Sequence, residues 1–158
     1  PPSPRDPPEG CQFSTRCPAK IRPESYDHLS NETWDAIEQF REVVRERTRI
    51  QFGIRDHVKR QIGLFSKYDD IEEAADDFFG DIEPPNEVQD AIDTAVEQVK
   101  AGYPSKARDQ LKQEFGGVCD TEGPEMHAVS DSGRLSYCHR HTEEYEGVNK
   151  TLDRRSDN

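Results

Sequence analysis

Residues 69–80, DDIEEAADDFFG, read as one helix with both ends marked. Ile71, Ala74, Ala75, Phe78 and Phe79 recur at i, i+3, i+4, i+7 and i+8, which places them on one stripe of a 3.6-residue helix. Asp69 stands where a cap is needed, Glu72 at the capping-box position, and Gly80 where the helix must stop. Such a stripe has to be buried, so this segment commits the middle of the chain to helix packing.

The same pattern extends outward in both directions. Downstream, a helix opens at Pro85, runs Val88, Ile92, Ala95 and Val99 along one face and ends at Gly102; another starts near Pro104, presents Ala107, Leu111 and Phe115 and stops at Gly116. Upstream, Trp34, Ile37, Phe40 and Val44 form one stripe, and Val58, Ile62 and Phe65 a second. Residues 31–116 are therefore predicted to be four or five helices in one bundle, with Trp34, Phe40, Ile62, Phe78, Ile92 and Leu111 buried.

The periodicity ends on both sides of this block. Residues 1–10, PPSPRDPPEG, hold five prolines and read as an extended connector; residues 11–27 carry Cys11 and Cys17 in a loop without periodicity. Past Gly116 and Gly117, Cys119 and Cys138 bracket a stretch in which HAV and LSY are the expected arms of a short hairpin around Ser132 and Gly133. The residues from His139 are polar, with a disordered end expected. The division is thus 1–30, linker and first cysteine loop; 31–116, helical insertion; 117–141, second cysteine loop; and 142–158, polar tail. The fold class is mainly α, a small helical bundle inserted into an irregular cysteine-rich region with at most a short β-hairpin.

Composition excludes several classes of function. Only 31% of the 158 residues are hydrophobic and 34% are charged, so the core is small. No run of about 18 apolar residues exists, so no membrane span is expected. Pro1 comes first and Met126 is the sole methionine, which reads as a piece of a longer chain. The net charge is −12, from 33 acidic and 21 basic residues, and binding nucleic acid requires clustered cations that release counterions from phosphates. Arg outnumbers Lys two to one and the acids are spread along the chain, a composition that predicts a high-salt cytoplasm, where an acidic surface stays hydrated and its self-repulsion is screened. An ordinary acidic domain is the alternative. The paired carboxylates Asp69/Asp70, Glu72/Glu73 and Asp76/Asp77 lack a calcium-loop pattern and lie on a predicted helix, so they read as a solvated face.

The four cysteines are spaced C-x5-C, then, after a long interval, C-x18-C. Neither half is a zinc-knuckle spacing, and composition alone leaves two disulfides and a metal site equally open. Their surroundings are more specific. PPEGCQFSTRCP at residues 7–18 resembles the PP-x-GC-x-F-x-x-RCP signature that opens the C-terminal extension of the ATP-binding subunits of oligopeptide and dipeptide ABC importers. That family continues with a third cysteine, an acidic-proline segment, a glycine-containing turn and a cysteine followed by histidine. Cys119, GPEM at 123–126, SDSG at 130–133 and Cys138 with His139 follow in the same order. The departure is the interval from Cys17 to Cys119, which holds the helical block where the family has a handful of residues. Loop-closure entropy makes this expansion cost roughly 2–3 kcal/mol, less if the insert folds with its ends together.

The resemblance implies a cytoplasmic location, peripheral on the membrane through the transporter complex, with the membrane subunits and a second ATPase subunit as partners. It also implies that the ATP and magnesium site lies upstream in a parent chain. The 158 residues hold no G-x4-GK[ST] loop, and GGVCDTEG at 116–123 lacks the phosphate-reaching lysine, so no enzymatic role is expected here. Reduced cytoplasmic thiols shift the balance from disulfides to a soft metal. Similar proteins in the family carry a [4Fe–4S] cluster at the matching cysteines, so Cys11, Cys17, Cys119 and Cys138 are the implied ligands, with zinc as the alternative. Arg16, next to Cys17, reads either as an offset to thiolate charge or as a plain surface arginine. His127, His139 and His141 read as ordinary hydrogen-bonded histidines, with a Cys3His zinc site through His139 as the variant. The function implied is a regulatory or structural C-terminal domain with a four-cysteine metal centre; the competing reading is a free-standing helical interaction domain stapled by two disulfides.

Overall fold

A computed structural model describes residues 9–52 and 70–156. Among these residues the chain is mainly helical, with one two-stranded hairpin. It divides into two compact units: Leu29–Glu114, continuous in sequence, and a second built from Pro1–His28 together with Phe115–Asn158.

The continuous unit contains α1 (Asn31–Phe52), α2 (Ile71–Phe79), α3 (Asn86–Lys100) and most of α4 (Pro104–Phe115). Ser30 caps α1 by accepting from the Thr33 N–H at 3.0 Å, and Asp70 caps α2 by accepting from the Glu72 N–H at 3.0 Å. Each satisfies one of the donors that a helix start leaves over. At the end of α3 the Tyr103 N–H reaches the Gln98 carbonyl and the Gly102 N–H the Val99 carbonyl, a paired closure that turns on the positive φ of 86° at Gly102.

α1 packs on α2 and α2 on α3. Ile37, Phe40, Val44, Ala74, Val88, Ala95 and Ala107 are fully out of solvent, with Trp34 and Leu111 nearly so. The Phe40 and Phe79 rings meet edge to face at 6.2 Å. Along α1, the half-buried pairs Glu38–Arg41, Glu42–Arg45 and Glu46–Arg49 form three successive i,i+3 ion pairs, each adding a few tenths of a kcal/mol.

Two details differ from expectation, and one expected helix is not described. The α2 cap is Asp70, and Asp69 lies outside the described residues. Phe79 is buried, its ring meeting Phe40, while Phe78 is half-buried. The helix expected around Val58, Ile62 and Phe65 also lies outside the described residues.

The second unit has a sparser apolar core: Ala19, Ile21, Tyr26, Phe115 and Cys119 are buried, with the Tyr26 and Phe115 rings 5.0 Å apart. Its elements are short. A 3-10 turn spans Glu24–Tyr26, α5 is Val118–Thr121, and a second 3-10 turn spans His139–His141. β1 (Met126–Ala128) pairs antiparallel with β2 (Leu135–Tyr137), Met126 opposite Tyr137 and Ala128 opposite Leu135, so the expected arm HAV is shifted by one residue. Gly133, φ 79°, closes the turn, and Met126, Leu135 and Tyr137 stand exposed on the hairpin.

The polar tail, expected to be disordered at its end, forms α6 (Val148–Ser156), and residues 157–158 lie outside the described residues. Its anchor is polar: Thr151 is buried and donates to the Gly147 carbonyl at 3.2 Å and to a Glu146 carboxylate oxygen at 3.3 Å.

Phe40→Ala should destabilise the continuous unit by about 3–5 kcal/mol, the usual cost of removing a buried ring. Urea unfolding followed by helical circular dichroism measures it; a loss below about 1 kcal/mol would show that this ring does not anchor the core.

Candidate metal centre

The cysteines come from segments far apart in sequence, and backbone contacts bring those segments together. The Cys11 N–H donates to the Cys119 carbonyl at 2.9 Å. Two glycines permit this approach. A methyl group on Gly10 would collide with the Cys119 carbonyl and the following peptide, and one on Gly117 would collide with the Ile21 carbonyl. The residue before Cys11 and the residue at the start of α5 are thus points where backbone packs on backbone.

A pair of polar anchors fixes the Cys17 segment to the other two. Lys20 Nζ meets Asp120 Oδ2 at 2.9 Å, with side chains only 5% and 11% exposed, and Asp120 also accepts from the Gly117 N–H at 3.3 Å. Arg140 donates from Nε to the Ala19 carbonyl at 2.5 Å and from a terminal nitrogen to the Lys20 carbonyl at 3.4 Å. Cys138 lies two residues before Arg140 and accepts from the His141 N–H at 3.1 Å through its carbonyl. The segments bearing Cys11, Cys17, Cys119 and Cys138 are therefore cross-linked by hydrogen bonds within one unit.

All four cysteines are free thiols; Cys119 is buried and the others are half-buried. Burial pushes the Cys17 thiol up, an N–H bond from Ala19 pulls it down, neighbouring Cys138 and Cys11 raise it, and Arg140 lowers it. Cys119 is likewise pushed up by burial, relieved by an N–H bond from Ile21, raised by Cys11, lowered by Lys20 and raised by Cys17. Every cysteine therefore lies within electrostatic range of at least one other, and two sulfurs receive the backbone N–H bonds that favour a thiolate. Among the described residues, no group of three or more His, Cys, Asp or Glu side chains is set to hold a metal ion.

The residues expected to assist are placed differently. Arg16 is exposed, its guanidinium 5.3 Å from the centre of the Phe13 ring. The cations that reach the thiols are Lys20 and Arg140, which sequence reading missed because nothing in CPAK or CHRH marks a lysine or arginine as buried. His139 Nε2 pairs with the Glu122 carbonyl at 3.0 Å and His141 Nε2 with Ser136 Oγ at 3.0 Å. The His127 and His141 rings are 6.0 Å apart, and His127 Nε2 is out of solvent without a partner. Glu72, Glu73, Asp76 and Asp77 form a solvated face. None of the described helices is long and apolar enough to cross a membrane.

A family described as a domain of unknown function (DUF8228) matches residues 31–132, more than half of the chain. No curated protein and no solved structure matches it.

Because the Cys17 and Cys119 thiols are held above their ordinary value of 9.0, the folded chain keeps their protons more firmly than the unfolded one. The resulting stability is fully present below pH ~9 and is lost as pH rises through the raised folded values. The urea midpoint of the reduced, metal-free chain should fall over that range, and fall less in Cys17→Ser and Cys119→Ser; equal slopes in all three would contradict it.

Proposed function

The chain belongs to this family of domains of unknown function, whose description carries no activity, and we propose its function from the cysteines: it is a non-catalytic structural or regulatory module in which Cys11, Cys17, Cys119 and Cys138 hold one soft-metal centre. The observation that carries this reading is the gathering of four free thiols from both ends of the chain into one unit, within range of one another's charge. Thiolate donors select soft metals, and backbone N–H bonds to sulfur are what a metal–thiolate site uses to stabilise its charge.

The resemblance implies an iron–sulfur cubane, with zinc as the alternative; a cubane is larger than one ion and tolerates ligands from distant loops. A bound centre would supply metal–sulfur bonds that tie the two chain ends together, and its binding free energy would become folding free energy of this unit.

The wider assignment rests on sequence resemblance alone. In that reading the chain is the C-terminal extension of the ATP-binding subunit of an oligopeptide or dipeptide importer, at the cytoplasmic side, with transporter membrane subunits and a second ATPase subunit as partners. The acidic surface suits a high-salt cytoplasm.

Metal and sulfide analysis of chain purified without oxygen tests the centre. About four irons and four sulfides with absorption near 400 nm indicate the cluster, and about one zinc indicates the alternative. Cys119→Ser should lose metal while keeping most of its helical circular dichroism. Absence of metal from the unaltered chain, full retention in the variant, or thiol counts that rise only on reduction would overturn the reading, the last in favour of two disulfides.

Lacking a phosphate-cradling loop, the 158-residue chain should neither bind nor hydrolyse ATP. Micromolar nucleotide affinity by calorimetry would refute this.

A further inference from the structure

Arg140 is 9% exposed, and its hydrogen-bond partners are all backbone carbonyls: Ala19 at 2.5 Å, Glu146 at 2.7 Å and Lys20 at 3.4 Å. Carbonyl oxygens satisfy guanidinium donors but leave the positive charge in place. Among the described residues no carboxylate pairs with it. The other buried cation of the unit, Lys20, has Asp120 as its counter-ion. A buried charge without a counter-charge is costly, so the arrangement calls for an anion that the protein side chains do not supply.

Two placements indicate which anion. Arg140 follows Cys138 by two residues, and its guanidinium bonds the carbonyls of Ala19 and Lys20, which follow Cys17. Four thiolates around a divalent ion or a cubane carry more negative charge than the metal cancels. We infer that Arg140 is the counter-charge of the metal–thiolate centre, a positioning residue that binds no metal itself, clamps the Cys17 and Cys138 segments through its carbonyl bonds and balances the negative charge that the centre acquires. This rests on the four-cysteine reading above. The planar fork suits the task, since it spreads its donors over three carbonyls while its delocalised charge stays available to the sulfurs.

The test titrates the reduced 158-residue chain with cobalt(II), read by the sulfur-to-cobalt absorption band, and displaces the cobalt with zinc(II). Arg140→Gln should bind about 10–100-fold more weakly than the unaltered chain, the range expected for a lost outer-shell partner. Arg140→Lys, which keeps the charge and loses the fork, should recover most of that loss. Circular dichroism of each metal-free variant checks that the helices persist. No cobalt–thiolate band from the unaltered chain, together with no iron and sulfide in chain purified without oxygen, overturns the four-cysteine reading and this inference with it. A band that survives Arg140→Gln at unchanged affinity overturns this inference alone. Equal weakening in the Lys and Gln variants also overturns it, because the loss would then come from shape and not from charge.

Discussion

The cysteine-bearing unit depends on buried polar contacts between segments from opposite ends of the chain. Its apolar core is a handful of side chains around Tyr26 and Phe115, too few to fix several irregular loops by hydrophobic burial alone. Register comes instead from directional bonds: Cys11 N–H to Cys119, Lys20 to Asp120, and Arg140 to the Ala19 and Lys20 carbonyls. Such bonds specify geometry more than they add stability, since a desolvated ion pair recovers little beyond its desolvation cost. A unit held this way is well defined in arrangement and thinly stabilised, which is the condition under which a bound metal has the most to contribute.

The continuous unit works by the opposite economy. Trp34, Phe40, Ile92 and Leu111 sit in a conventional helix core, and the paired charges of α1 are half-buried. The α1 ion pairs are half-exposed and individually weak, so the acidic composition of the chain is carried on its surface at little cost to the core. The two units thus answer a shortage of apolar residues differently, one by concentrating them and the other by substituting hydrogen bonds.

That difference governs what the sequence made legible. α2, α3 and α4 could be read with their ends because their burial follows hydrophobic period and their stops follow Gly and Pro chemistry. The errors there are of one residue, Asp70 for Asp69 and Phe79 for Phe78, because two adjacent candidates satisfy the same pattern and packing chooses between them. α6 was not legible: its buried anchor is Thr151, and a period search sees only apolar side chains. The cysteines could be picked out by a local motif. Lys20 and Arg140 could not, since a buried cation and a solvated one are spelled alike, and only tertiary contacts over a long sequence separation tell them apart. Arg16, adjacent to Cys17 in sequence, was favoured by proximity along the chain and displaced by proximity in space.

The division into a continuous unit and one assembled from both ends also bears on the order of events during synthesis. Residues 29–114 hold their core partners within one stretch and can fold as soon as that stretch has left the ribosome. Cys11 and Cys17 emerge first yet lack their partners until Cys119, Cys138 and Arg140 have been made. At ordinary elongation rates that interval is on the order of ten seconds, during which the two leading thiols remain unsheltered and open to oxidation. A sequence interval that costs little in loop-closure entropy therefore carries a kinetic burden, one that a reducing compartment relieves and an oxidising one aggravates.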